Sequence, residues 1–251
     1  MFTAEERARA RDRVIQMARA DDRISGGAVT GSAALGNEDP WSDIDLSFGV
    51  VDDVDPEDVL ADWTERLMPE LGALHHWDLR SGPTIYRVLL LPGGLELDVA
   101  VTPRAQFGAR GPSFRLVFGE SVERAPASPP TAGDLIGLGW LSALDARAAI
   151  ARGRPWAAEY WIGSVRGQAL ALACLRLGEP AAYARGIDRL PGNVVAPYYL
   201  ALVRSLDPDE LRRALATATE LYLAEVGQVD GALAERLRAP LADALSQGGE
   251  P

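Results

Sequence analysis

One change of pattern divides the chain and constrains its fold more than any other feature. Residues 125–133 read APASPPTAG, and the three prolines of this run exclude both a helix interior and a central strand. Before the run, alternating apolar and polar residues typical of strands occur between helical patterns, whereas only helical patterns follow it. We therefore predict an α+β chain: an N-terminal domain with a small mixed sheet flanked by helices at residues 1–125, a linker at 126–133, and an all-α bundle at 134–251.

The pattern of apolar residues also predicts the individual elements. In the first part we expect helices at 4–22 and 55–71, and strands at 24–30, 43–51, 73–79, 84–91 and 95–101. Pro92-Gly93-Gly94 indicates a tight turn that joins the last two strands as an antiparallel pair. In the second part we expect helices at 134–151, 156–177, 194–206, 208–227 and 229–246.

The charged residues are unevenly distributed. The chain has 36 acidic residues against 25 basic ones, all arginine, and a net charge of −11. Residues 38–70 alone hold twelve acids and one arginine, a difference that equals the net charge. This balance disfavours nonspecific binding of nucleic acid and favours a metal ion or a cationic ligand. The alternative is that most of these acids only keep the surface soluble.

The cysteine content and the apolar segments predict the cellular location of the protein. Cys174 is the only cysteine, so no intramolecular disulfide can form. The N-terminal residues lack the apolar run of a signal peptide, and no apolar stretch approaches the ~18 residues of a membrane span. We expect a cytoplasmic protein with no membrane partner.

The residues that indicate chemistry lie around the strand at 43–51. Asp43 and Asp45 alternate onto one face of this strand, with Cα atoms ~6.5 Å apart, so both carboxylates can reach a shared pair of divalent ions. Gly31 and Ser32 precede them after another strand, where a glycine lets the backbone approach a phosphate. Asp98 is a third acid on a later strand. Carboxylate oxygens completed by water and phosphate are typical of Mg²⁺ sites.

These five residues resemble a known pattern. Gly-Ser, a spacer, Asp-x-Asp and a later third acid characterise the nucleotidyltransferase superfamily typified by DNA polymerase β. Gly31, Ser32, Asp43, Asp45 and Asp98 occupy its positions without departure. The chain is most similar to the small-molecule branch, which includes the antibiotic nucleotidyltransferases. The likeness covers residues 1–125 by motif and the helical part only by architecture and a loose likeness around residues 152–160.

The resemblance implies a reaction and its cofactors. A nucleoside monophosphate, AMP from ATP in the first instance, would pass to an acceptor hydroxyl while pyrophosphate leaves. Two Mg²⁺ ions would be held by Asp43, Asp45 and Asp98, and Gly31 and Ser32 would bind the phosphates of the NTP. The acceptor would be a small hydroxylated and plausibly cationic molecule such as an aminoglycoside, which implies a role in antibiotic resistance.

Small-molecule members also take a general base from the helical domain, and Glu159 is our candidate. It lies in the first turns of a predicted helix, and Arg166 follows two turns later on nearly the same face, where it would contact phosphate or orient the carboxylate. The alternative is an ordinary surface Glu–Arg pair. The neighbouring aromatic residues Trp156, Tyr160 and Trp161 are expected in the core of the bundle.

Two other functions stay open. One is transfer of AMP to a protein, as in toxin–antitoxin systems, although the minimal enzymes of that kind resemble only the first domain. The other is a non-catalytic nucleotide-binding regulator, whose expected signature is the loss of one of the three carboxylates. The sequence gives no indication of the oligomeric state, and it predicts no nucleic-acid partner.

Overall fold

The fold is α+β, as the sequence predicts, in a computed structural model that describes residues 2–126 and 128–246. The chain forms two compact units, Met1–Ala127 and Ser128–Pro251. Residues 1, 127 and 247–251, which belong to the predicted domains and linker, lie outside the described residues. Among the described residues, no helix is both long enough and apolar enough to cross a membrane.

The first unit contains three helices and a six-stranded mixed sheet. The helices are α1 Ala4–Arg19, α2 Gly31–Leu35 and α3 Pro56–Leu71. The strands are β1 Ile24–Thr30, β2 Ile44–Val50, β3 His75–Ser81, β4 Thr84–Leu91, β5 Leu95–Pro103 and β6 Phe114–Gly119. They lie in the order β3-β4-β5-β2-β1-β6, and only the central pair β2 and β5 is parallel.

The helices α1 and α3 pack on one face of this sheet. Strand β2 contributes alternate apolar residues to that face, and the ring of Phe48 packs edge-on against Trp63 of α3 with centroids 5.1 Å apart. Helix α3 begins where the sequence predicts, because the Asp55 side chain accepts a hydrogen bond from the Glu57 N–H and Pro56 occupies the first turn. The residues between the apolar ones therefore project from the opposite face of the sheet.

The predicted antiparallel pair is confirmed. Strands β4 and β5 pair from Leu91 with Leu95 outward, across the short turn Pro92–Gly94. Strand β6, in contrast, is an element that the sequence analysis missed. It pairs only with β1 at the edge of the sheet, and its residues alternate too weakly between apolar and polar to indicate a strand.

The second unit contains helices and no strands among its described residues. Its helices are α4 Ala132–Ala151, α5 Pro155–Leu177, α6 Gly192–Val195, α7 Pro208–Val229 and α8 Gly231–Ser246. Helix α5 packs against α4 and α7, and the buried Tyr222 hydroxyl donates to the Ile136 carbonyl at 2.5 Å. The predicted helix at 194–206 is wrong: α6 gives way to a 3₁₀ segment, Ala196–Ala201. Pro197 has no N–H to bond the carbonyl four residues earlier, so the α-helix cannot continue there.

Candidate active site

Two of the predicted site residues face each other across the central strand pair. Asp45 on β2 and Asp98 on β5 are register partners in the parallel ladder. Their apolar neighbours Ile44 and Leu97 are also partners and lie in the core. Strand alternation therefore places both carboxylates on the face opposite α1 and α3. Asp43 lies just before the first residue of β2, on the approach to the same face.

Asp98 is half-buried and lies close to other acidic side chains, whose negative charges act on its carboxylate. The pKa of Asp98 is raised from 3.8 to about 7, chiefly by burial. The negative charges of Glu96, Asp45 and Asp43, in decreasing order, raise this pKa further. Oδ1 of Asp98 is buried without a hydrogen-bond partner among the described residues. Several carboxylates thus share a region in which they repel one another and one oxygen lacks a donor.

Gly31 lies against the Asp45 carboxylate in a way that requires glycine. Its φ of +61° is in the left-handed region. A Cβ built at Gly31 would lie 1.8 Å from Oδ2 of Asp45, far inside contact distance. Ser32 follows in the five-residue helix α2, and its Oγ is buried without a hydrogen-bond partner among the described residues. The backbone at Gly31 is therefore packed directly against the Asp45 carboxylate.

The donor set of this region fits a hard divalent cation. All three predicted ligands are carboxylates, which Mg²⁺ prefers, and a cation would offset the repulsion at Asp98 and give its orphaned oxygen a partner. In the described part of the chain, no three His, Cys, Asp or Glu side chains are already gathered as a metal-binding group. The acids whose charges act on Asp98 are Glu96, Asp45 and Asp43, and Asp45 is also its register partner.

A cavity of about 300 Å³ adjoins the acid pair on the same face of the sheet. Ser47 of β2 and Ala100 of β5 line it, and each lies two residues beyond Asp45 and Asp98 on its strand. Tyr86 of β4, the register partner of Ala100, contributes an aromatic side chain. The remaining lining comes from hydroxyl-bearing residues, among them Thr30 next to Gly31, and from the segments that follow β5 and β6, and it includes Arg110 and Arg124.

The two predicted site residues of the second unit lie on α5. Glu159 is half-buried in the early turns of this helix. Arg166 donates through Nη1 to the Ala201 carbonyl at 3.1 Å. No ion pair joins Glu159 to Arg166, both of which the structure describes. The expectation that the nearby aromatic residues form core is wrong for Trp156 and Tyr160, which are 75% and 66% exposed. These two residues are four positions apart and share the exposed face of α5, whereas Ala158 and Ile162 lie on its buried face.

Most acids of the stretch 38–70, to which Asp43 and Asp45 themselves belong, are not gathered around the acid pair. Five of its twelve acids form ion pairs with arginines: Glu38, Asp52, Glu57, Asp62 and Glu70. Two others, Asp58 and Glu65, belong to α3, which packs on the opposite face of the sheet. Of this stretch, Asp43 and Asp45 place negative charge at the acid pair. The arginine-paired acids and those of α3 do not add to it, so the stretch as a whole does not by itself support a cationic acceptor.

Sequence analysis overlooked the cavity and its lining. Tyr86 could have been predicted from the sequence. The hairpin register that follows from the turn Pro92–Gly94 places it opposite Ala100, two residues from Asp98. Arg110 and Arg124 carried no such signal. They lie outside regular strands and helices, and alternation cannot assign a face to residues in irregular segments.

Comparison with known proteins gives little to add to this geometry. No family model matches the chain, and no curated protein matches it. The crystal structure of an aminoglycoside 6-adenyltransferase from Bacillus subtilis aligns with 100% of this chain and 94% of its own, at 14% sequence identity and a TM-score of 0.35. At these values the alignment carries no functional argument, so function is inferred from the residues of the site.

Proposed function

We propose that this chain is a metal-dependent nucleotidyltransferase that moves a nucleoside monophosphate, AMP from ATP in the first instance, to a hydroxyl of a small molecule. The observation that carries the proposal is the register of Asp45 with Asp98, together with Asp43 and with Gly31 packed under Asp45. Gly-Ser and three acids, in the order that the sequence motif requires, meet at one face of one sheet. A regulator that had lost catalysis would not need all three carboxylates.

Different residues of the chain are assigned to phosphate binding and to metal binding in an in-line displacement. Gly31 and Ser32 bind the β and γ phosphates, and the orphaned Ser32 Oγ is available to donate to a phosphate oxygen. Asp43, Asp45 and Asp98 would hold two Mg²⁺ ions, which supply charge neutralisation on the triphosphate and lower the pKa of the acceptor hydroxyl. The acceptor oxygen bonds to the α-phosphorus while the bond to the bridging oxygen breaks and pyrophosphate leaves.

The hydroxyl proton needs an acceptor. We assign this role to the Glu159 carboxylate, because small-molecule members of the resembled family take their base from the helical part. Arg166, held by the Ala201 carbonyl, is the proposed phosphate contact of the same helix. Glu159→Gln is expected to lower the rate of transfer at neutral pH while leaving binding of the NTP unchanged, which distinguishes a base from a binding residue.

The proposal is tested by replacing one carboxylate at the centre of the site. The protein is incubated with Mg²⁺, each NTP and a panel of hydroxylated compounds that includes aminoglycosides, and products are detected as mass shifts of one nucleoside monophosphate with release of pyrophosphate. Asp45→Asn is expected to lower transfer about 100-fold or more, since it removes a charged ligand of the metal. Its unfolding free energy is expected not to fall, because the substitution also removes repulsion with Asp98.

Asp53→Asn is the matched control for this experiment. It removes the same charge from an exposed position whose φ of +66° suits asparagine, and it is expected to leave transfer unchanged. Equal transfer by wild type and Asp45→Asn would contradict the assignment of the site. A mass shift on a co-purified protein, and on none of the compounds, would replace the small-molecule acceptor with a protein.

A further inference from the structure

Two arginines at the cavity beside the acid pair have no acidic partner. Arg110 and Arg124 both line this cavity. Among the described residues, no carboxylate forms an ion pair with either, and none of those that line the cavity is an Asp or Glu. Most other arginines of the same unit are paired with acids: Arg7, Arg11, Arg13, Arg23, Arg80, Arg87 and Arg104. In so acidic a unit, two unpaired guanidinium groups at one cavity indicate a site for an anion.

Local contacts hold the guanidinium group of Arg124 in place and leave that of Arg110 available to bind a ligand. Arg124 is half-buried and donates through Nη1 to the Gln106 carbonyl at 2.5 Å. Burial and then the charge of Arg110 lower the pKa of Arg124, so the two cations are close enough to repel each other. Arg110 is exposed. The hydroxyl groups of Ser113 and Thr102 also line the cavity as neutral hydrogen-bonding groups, whereas the Thr84 hydroxyl already donates to Thr102 Oγ1 at 3.1 Å.

Thr30, which directly precedes Gly31, lines the cavity at the level of Asp45, but most of the cavity lies on the side of the acid pair away from Gly31 and Ser32. Strand β1 runs antiparallel to β2, and Val29 pairs with Leu46, so α2 begins beyond the level of Asp45, toward the start of β2. From Thr30 the cavity extends the other way, toward Ser47 and Thr102. In an in-line displacement the attacking and leaving oxygens are on opposite sides of the phosphorus. If pyrophosphate leaves on the side of Gly31 and Ser32, the attacking hydroxyl arrives from the cavity.

We propose that this cavity binds the acceptor, and that the acceptor carries an oxyanion, a phosphate monoester or a carboxylate, held by Arg110 and Arg124. This inference rests on the proposed function for its acceptor role, but not for its anion binding. Guanidinium groups match both oxyanions with paired N–H donors. A volume of about 300 Å³ suits a compact ligand, and Tyr86 offers a ring for the face of a sugar. The substrate class is a small hydroxylated anion.

Anion binding is tested with inorganic phosphate and without nucleotide. Calorimetric titration of the full chain with phosphate, in EDTA so that no metal can bridge the ligand to the carboxylates, is expected to show saturable binding. Arg110→Ala and Arg124→Ala are each expected to weaken it about tenfold, and the double variant to abolish it. Because Arg124 also anchors the Gln106 carbonyl, the exposed Arg110 provides the variant least able to disturb folding.

Arg115→Ala is the matched control. Arg115 is exposed on β6 next to the cavity residue Phe114, but it pairs with Val29 and so faces the other side of the sheet. Phosphate affinity is expected to be unchanged in this variant. Phosphate binding that is absent, or equally strong in wild type and Arg110→Ala, overturns the anion site.

The acceptor role is tested separately by transfer itself. A panel of hydroxylated compounds is divided into phosphorylated, carboxylated, neutral and cationic members, and transfer is expected only to anionic members, with KM raised about tenfold by Arg110→Ala. Comparison of the phosphorylated with the carboxylated compounds shows which of the two oxyanions the site prefers. Transfer to cationic members alone overturns the acceptor assignment. Arginine-dependent phosphate binding without transfer to any compound overturns the proposed function and leaves the anion site supported.

Discussion

The close packing of Gly31 against Asp45 makes Gly31→Ala the most informative single substitution. The new Cβ would lie 1.8 Å from Oδ2 of Asp45, whereas real Cβ contacts are not closer than 3.0 Å. The carboxylate and the start of α2 must therefore separate by about 1.2 Å. A misplacement of about 1 Å in a catalytic constellation costs roughly 100-fold in rate. We expect kcat/KM for nucleotide transfer to fall by about that factor.

Gly36→Ala separates this effect from backbone strain. Gly36 ends the same helix with a φ of +71°, but a Cβ there meets nothing within 4 Å. Both substitutions place alanine in the left-handed region and are expected to lower the unfolding free energy by about 1–2 kcal/mol, measured by urea denaturation. Only Gly31→Ala is expected to lose transfer. If both variants lose activity equally, the contact between Gly31 and Asp45 has no catalytic role.

Two further predictions concern stability. Asp21 accepts hydrogen bonds from Arg23 and from Trp63 Nε1, and the Arg23 bond chiefly lowers the pKa of Asp21 to about 2. This stabilisation, about 2 kcal/mol, is complete above the unfolded pKa near 4 and disappears as pH falls through about 2. The loss of unfolding free energy in Asp21→Asn, measured by urea denaturation, should therefore be smaller at pH 3 than at pH 6. A loss that is the same at both pH values would refute this linkage. In α4, Gly139→Ala would place a Cβ 2.2 Å from the Tyr222 ring and is expected to lower the unfolding free energy by about 1–3 kcal/mol. Gly137→Ala, with nothing within 4 Å, is expected to raise it by about 0.5–1 kcal/mol, and thermal denaturation giving both variants the same sign would contradict this account.

The local features of the first unit could be predicted because they depend on short-range rules. The alternation around Asp45 identifies the strand and its two faces, and Asp55-Pro56 identifies the start of α3. The same alternation assigns Asp98 to one face of β5. The fold class and the antiparallel turn at Pro92–Gly94 follow from these signals.

The arrangement of the site depends on contacts that periodicity does not contain. That β5 lies parallel to β2, and that Asp98 is level with Asp45 and not with Ser47, follows from the order of strands in the sheet. The exposure of Trp156 depends on where α5 begins relative to its neighbours, whereas its composition resembles core. Arg110 became visible only through the cavity that the irregular segment after β5 encloses.

The turn Pro92–Gly94 has a consequence for how this sequence can change over time. Its length fixes the pairing of β4 with β5, and hence which side chains of β5 turn toward the core. One inserted or deleted residue that shifted β5 by one position would exchange Asp98 for Leu97 or Val99, which would bury an acid and expose an apolar side chain together. Substitutions in the turn are therefore tolerable so long as its length is kept, whereas a change of length would alter the core and the acid pair in a single step.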